Sequence, residues 1–246
     1  MAGKTINSYL LILILLLAFL LWSFAQLDYQ WNWPIIYNYR HKFISGWFTT
    51  LGISAIALLL SFAIGLISAL ASLSRFHILK AACRVYVELI RGTPLLVQLL
   101  VSFYVVASAL GLENRYAVGI LCMSIFSGAY MSEIIRSGLL SIERGQLDSA
   151  SAIGLTPRQT FQLIVFPQSM RLVLPSVAGQ FVSLIKDSSL LSVIAISEFT
   201  LNAQEVNSFT YSTMESYLPL AAGYLLLTLP LSLCIQAWEK RWRYEA

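Results

Sequence analysis

Phe48-TTLGISAIALLLSFAIGLISALAS-Leu73 is a run of 26 residues without one charged side chain. About 20 predominantly apolar residues suffice to cross roughly 30 Å of hydrocarbon as a helix. Inside lipid every backbone N–H and C=O must find its partner within the segment, so such a run is read as α-helix. Five further apolar stretches accompany it: Tyr9–Gln26, Val85–Leu110, Tyr116–Ile135, Val173–Ile196 and Tyr217–Trp238. The sequence therefore predicts an all-α fold, a polytopic membrane helical bundle of about six spans. Composition agrees, with 58% hydrophobic and only 11% charged residues, where soluble domains carry about 25% charged.

The net charge of +4 does not point to nucleic acid, because the basic residues lie at segment ends and form no single patch. They read instead as orientation signals. Twelve of them (Lys4, Arg75, Lys80, Arg84, Arg91, Arg136, Arg144, Arg158, Arg171, Lys240, Arg241, Arg243) fall on one side of the predicted bundle, and three (Arg40, Lys42, Arg115) on the other. The positive-inside bias puts both termini in the cytoplasm. The segment Asn202–Glu215 is then an outside loop. The first stretch carries Lys4 before its apolar run, as a signal peptide would. It lacks a clear small-x-small cleavage site, so a retained helix is expected. Cys83, Cys122 and Cys234 have no metal-ligand spacing, and His41 and His77 are isolated, so no metal is expected. No internal repeat is visible.

The segment Ser141-IERGQLDSASAIGLTPRQTFQLIVFP-Gln168 is less apolar than its neighbours, yet it carries its own folding signals. Gln146–Ile153 lacks helix breakers. Gly154 suits the position after a helix where φ > 0 is needed. Thr156 is a good N-cap and Pro157 fits the first helical position. A second short helix would carry Phe161, Leu163, Ile164 and Val165, with Pro167 as its stop. Ser149, Ala150, Ser151 and Ala152 are small enough to let a partner approach closely. Local chemistry alone leaves two readings, a docking surface or an ordinary folded loop.

Asp148-Ser149-Ala150, three residues, Gly154, nine residues, then Ile164-Val-Phe-Pro167 resembles the EAA loop of ATP-binding-cassette importer permeases, with Asp148, Ser149 and Phe166 replacing the commoner Glu, Ala and Leu. Glu88-Leu-Ile-Arg91-Gly-Thr-Pro94-Leu-Leu-Val-Gln98 is similar to the polar amino acid branch of that family. So are Gly128-Ala-Tyr-Met-Ser-Glu133-Ile-Ile-Arg136, Arg144-Gly-Gln146 and Lys186-Asp187-Ser188-Ser189-Leu190. The resemblance covers roughly Gly46 to Trp242. It implies a type I importer permease core of the MetI-like kind over residues 46–242, with a cytoplasmic coupling loop at 141–168. Residues 1–45 are expected to add a first transmembrane helix and an interfacial segment. It further implies a cytoplasmic ATP-binding subunit dimer, a second permease subunit (the same or a related chain), an extracytoplasmic amino acid-binding protein and residence in the bacterial inner membrane. Gly145, Gln146, Asp148, Ser149, Ala150, Gly154, Leu155 and Pro167 are the implied ATPase-coupling residues. No GxxxxGK[ST] loop occurs in the chain. ATP hydrolysis is therefore expected on the partner, with no enzyme activity and no cofactor on this chain.

Charges within membrane spans are costly, at least ~2.5–3.5 kcal/mol on insertion scales, and call for a reason. Asp187 follows Gln180 by two helical turns, about 10.5 Å along the axis, with Ser183 between them and Ser188 and Ser189 close by. One reading makes Gln180, Ser183, Asp187, Ser188 and Ser189 a substrate-facing stripe. The other makes a buried network in which Lys186 and Asp187 each pair with a neighbouring helix. Glu88 with Arg91 and Glu133 with Arg136 are i,i+3 pairs near span ends, either local ion pairs or gating elements. Gly92 and Pro94 suggest a hinge or a kink in the third span. Tyr29, Trp31, Trp33, Tyr37 and Tyr39 read as an interfacial aromatic segment, with contact to a binding protein as the alternative. Three functions compete: the importer permease, a stand-alone secondary transporter or channel, and a structural subunit of a membrane enzyme. The coupling-loop spacing favours the first.

Overall fold

The computed structural model describes the backbone of residues 2–26 and 28–244. The side chains of Lys4, Lys240, Arg241 and Arg243, invoked above for orientation, lie outside the described set. The elements are helical: α1 (Ala2–Ala25), α2 (Pro34–Asn38), α3 (Arg40–Ser72), α4 (His77–Arg91), α5 (Leu95–Leu100), α6 (Arg115–Leu140), α7 (Arg144–Ala152), α8 (Pro157–Thr160), α9 (Phe166–Asp187), α10 (Phe199–Thr210) and α11 (Thr213–Tyr244).

Among the described residues four continuous helical runs are long and apolar enough to span: Arg40–Ser72, Arg115–Leu140, Pro157–Ile194 and Thr213–Glu239. A fifth is a bent pair, and most of the described apolar side chains of α1 are exposed, while Phe24 near its end lies beside Trp31. Its 24 residues make a rod of about 36 Å.

The bundle is organised around α3 and α6. One stripe of α3 (Thr50, Ser54, Ala57, Ser61, Gly65, Ser68) is buried along its length. It meets Ser124, Ser127, Gly128, Met131 and Ser132 of α6. Lipid gives helices no hydrophobic reason to associate, so close packing through small residues takes over. The crossing is tight at Gly65, where a Cβ would come within 2.4 Å of Met131 Cβ. A central core of Ile53, Leu99, Met123, Leu184, Leu191 and Ile196 then joins α5 and α9 to this pair.

Three sequence expectations are corrected. The run Val85–Leu110 is not one span. Gly92-Thr93-Pro94 breaks it, and Leu95–Ala107 leaves at 105° to α4. Pro94 prevents continuation, since the residue before a proline is driven out of the helical region. Pro167 does not stop a helix either, because α8 runs on through Phe161–Val165 into α9. That five-residue stretch is π-helical. Widening the turn makes room for the proline ring, which would otherwise meet the carbonyl four residues earlier. Finally, Asn202–Glu215 is not a loop. It contains most of α10, packed on α3 and α11. Ile35, Phe43, Phe199, Ala203 and Val206 form a second core beneath that helix.

Candidate functional site

Two regions carry the expected function. The first is the α7–α8 unit. Its turn is a Schellman motif, with Leu155 N–H donating to the Ala150 carbonyl (3.0 Å) and Gly154 N–H to the Ser151 carbonyl (3.1 Å). Gly154 takes φ +82°, open to glycine at little cost. Thr156 caps α8 through a capping box with Gln159, and Pro157 opens the helix. The local sequence signals thus place this turn correctly, although α7 begins two residues earlier, at Arg144.

The expected coupling residues divide. Gly145, Asp148, Ser149, Gly154 and Pro167 are exposed. Ala150 is buried (1% exposed) and Leu155 half-buried. Gln146 accepts a 2.7 Å hydrogen bond from Gln168 Nε2, which ties α7 to α9. Ile153 was not singled out from sequence, yet it is 75% exposed at the end of α7. An apolar side chain among polar neighbours was the available signal.

The second region is the far half of α9. Gln180 Nε2 donates to Ser127 Oγ of α6 (3.3 Å). Ser183, Ser188 and Ser189 each return their hydroxyl to a backbone carbonyl, of Gly179, Ile185 and Lys186. Asp187 ends the regular α-helix, before a 3-10 turn over Ser188–Ile194. Lys186 is exposed and Asp187 half-buried. Neither side chain has an ion pair or hydrogen bond among the described residues. The paired network between helices is therefore not formed at these two positions.

The chain then reaches α10 through a buried carboxylate that sequence reading missed. Glu198 is fully buried and caps α10, accepting from Thr200 N–H and Leu201 N–H (both 2.8 Å). Tyr224 Oη of α11 (3.1 Å) and Thr50 Oγ1 of α3 (3.4 Å) also donate to it. Burial pushes this carboxyl up, and the two backbone N–H groups oppose the shift. Thr50, a hydroxyl near the start of the apolar run, was the visible hint. Nearby, Lys42 pairs with Glu205, and the buried Glu215 accepts from Tyr29 Oη and Asn32 N–H. The aromatic segment is thereby fastened to α11, with Trp31 and Trp33 stacked at 5.0 Å.

Of the two ion pairs expected near span ends, one forms. Arg136 grips Glu133 through two hydrogen bonds, 3.0 and 2.5 Å. Glu88 does not pair with Arg91. It binds Arg84 one turn earlier (2.7 Å), while Arg91 lies over the Tyr130 ring at 5.3 Å. A helical carboxylate reaches i−4 as well as i+3, and the aromatic ring on α6 draws Arg91 away.

A model of the family described as the binding-protein-dependent transport system inner membrane component matches residues 61–244. The chain belongs to that family. This permease is 34% identical over 211 residues to the probable glutamine ABC transporter permease protein GlnM of Bacillus subtilis, covering 85% of the present chain and 97% of the relative. It is 31% identical to the glutamine transport system permease protein GlnP of Escherichia coli over 86% and 98% of the two chains. Its fold matches a chain from the crystal structure of an amino acid ABC transporter with histidines, at TM-score 0.81 and 32% identity, over 87% of this chain and all of that one. An inward-facing methionine ABC transporter, MetNI, matches at TM-score 0.67 and 16% identity, over 88% of this chain and all of that one. At that identity the match speaks for the fold alone. The permease is a multi-pass membrane protein of an ABC importer, a class that works with an ATPase and a substrate-binding protein.

Proposed function

We propose that this permease carries polar amino acids across the bacterial inner membrane, with both termini and the α7–α8 unit in the cytoplasm. The exposed edge of α7 carries the reading. Gly145, Asp148, Ser149 and Ile153 face outward there, on a helix whose rear is held by Ala150 and the Gln146–Gln168 bond. That gives a stiff knob with an apolar tip, suited to a groove on a separate ATP-binding subunit. ATP binding and hydrolysis belong to that subunit, and this chain needs no cofactor. Closure of the ATPase dimer moves α7 as a rigid body, and α8 continuing into α9 passes the movement directly to the substrate path.

In this reading Asp187, which makes no ion pair or hydrogen bond among the described residues, meets the amino group of a zwitterionic substrate. Ser183, Ser188 and Ser189 supply hydroxyls around it. Gln180 both anchors α9 to α6 and presents its carbonyl oxygen. Glu133 and Arg136 fix the α6 end, and Glu88 and Arg91 act at the elbow between α4 and α5. Residues 1–45 add a helix outside the 46–242 transport unit. A second permease chain, the same or related, completes the path, and an extracytoplasmic binding protein delivers the substrate. The relatives named for glutamine, and others named for cystine and nopaline, support a polar amino acid as substrate. The deciding experiment is co-expression with the neighbouring genes, then affinity capture and an uptake panel of amino acids in proteoliposomes. Capture of an ATPase with ATP-dependent uptake of a polar amino acid supports the proposal. Uptake that persists without ATP overturns it.

A further inference from the structure

An open cavity of about 590 Å³ lies between α4, the end of α3 and the end of α6. Helix α4 presents one stripe to it: Lys80, Cys83, Arg84, Val87, Glu88 and Arg91. These positions recur at three- and four-residue steps, one face of an α-helix. Ser132, Glu133 and Arg136 of α6 line the opposite wall. The charges do not cancel. Lys80, Arg84, Arg91 and Arg136 face only Glu88 and Glu133 there; Arg84 and Arg136 are the cations ion-paired to those carboxylates, so Lys80 and Arg91 carry a surplus of positive charge. The Ser132 hydroxyl, largely buried, makes no hydrogen bond among the described residues.

The other side of α4 is apolar and uncovered, with Ile78 85%, Val85 55% and Leu89 64% exposed. Tyr86 Oη donates to the Ile125 carbonyl of α6 (2.6 Å) and holds the helix in place. Leu95–Ala107 leaves at 105° to α4, so the two arms cannot both run along the membrane normal, and an α4 lying along the surface at the α7 end of the bundle suits its two-faced pattern. A helix so placed, cationic toward a cavity and apolar toward lipid, fits a ligand with an anionic head and hydrocarbon tails.

We infer that this cavity is a binding site for the phosphate headgroup of an anionic phospholipid, with Lys80 and Arg91 as its cations and the acyl chains along Ile78, Val85 and Leu89. The lipid would brace α4 at its junction with the membrane path. The site rests on the proposed orientation only for which leaflet supplies the lipid, and it is independent of the substrate reading.

Cys83, on the cavity wall, reports occupancy. In a Cys234→Ser chain Cys122 is buried, so alkylation by N-ethylmaleimide follows Cys83. The full chain is placed in phosphatidylcholine nanodiscs, and phosphatidylglycerol is added in steps. The expected result is slowing of Cys83 alkylation as phosphatidylglycerol rises. In the Lys80→Gln/Arg91→Gln chain the phosphatidylglycerol content needed for half-protection should rise about 30-fold, from two lost cation–lipid contacts. Inorganic phosphate should not protect. Absence of protection, equal protection in the double variant, or equal protection by inorganic phosphate overturns the lipid site. Each readout is taken on the chain without its transport partners, so the outcome is separate from the test of amino acid uptake.

Discussion

The side-chain amide of Gln98 donates to the Ile90 carbonyl at 2.8 Å, reaching back across the break between α4 and α5. The same nitrogen lies 2.7 Å from Thr93 Oγ1 and 3.1 Å from the Thr93 carbonyl. A helix that stops leaves its last carbonyls without partners, and here one side chain on the next helix takes up that need. The elbow is therefore built, with a defined angle, and is more than a kink.

Gln98→Glu tests the staple, since a carboxylate cannot donate to carbonyls. It should destabilise the chain by about 1–2 kcal/mol, the scale of a side-chain hydrogen bond between helices in membranes. Gln98→Ala should cost less, because no repulsion is added. Thermal unfolding in detergent ranks the two, and equal stabilities would remove the staple from the account.

Gly65→Ala probes the α3–α6 crossing. Its new Cβ would sit 2.4 Å from Met131 Cβ and 3.0 Å from the Ser132 nitrogen. The helices must part, at about 1–3 kcal/mol for overpacking. Met131→Gly removes the Cβ that the new methyl meets, so the double variant should lose less than the sum of the two single changes. A melting temperature unchanged by Gly65→Ala would contradict the close approach.

Glu198→Gln converts one acceptor into a donor among four donors. The capping of α10 and its ties to Thr50 and Tyr224 should loosen, at about 1–3 kcal/mol for buried groups left unmatched. Hydrogen exchange of the α10 amides should rise while exchange in α6 stays as it was. Unchanged protection of α10 would sink the idea.

Asp187→Asn should impair uptake while insertion and assembly remain normal, because the carboxylate holds no neighbouring helix. Wild-type uptake by correctly assembled Asp187→Asn protein would refute a substrate contact there.

Ile153→Asp should weaken capture of the ATP-binding subunit. About 1.5–3 kcal/mol is available from burying such a side chain, roughly a tenfold to hundredfold loss in affinity. Ala150→Ser, on the buried rear of α7, should instead lower the stability of the loop. Undiminished capture with Ile153→Asp would place the docking edge elsewhere.

The spans were legible because crossing lipid imposes a length and an absence of charge, both visible residue by residue. The α7–α8 turn was legible for a different reason: Gly154, Thr156 and Pro157 act on their own backbone within a few bonds. Sequence by itself therefore determined a helical membrane bundle with a folded loop between its spans. Only the tertiary structure decided the rest. Whether Pro167 ends a helix depended on π-widening over Phe161–Val165. Glu88 had two arginines within reach, and Tyr130 on another helix settled the choice. Helix α10 looked like a loop because its hold comes from Glu198 meeting Thr50, 148 residues away, and Tyr224. Lys186 and Asp187 carried the same ambiguity, and that neither is ion-paired to a neighbouring helix among the described residues could be seen only once those helices were in place. Interactions that close over short sequence distances can be read from the chain, whereas those that join distant helices depend on packing that no single segment encodes.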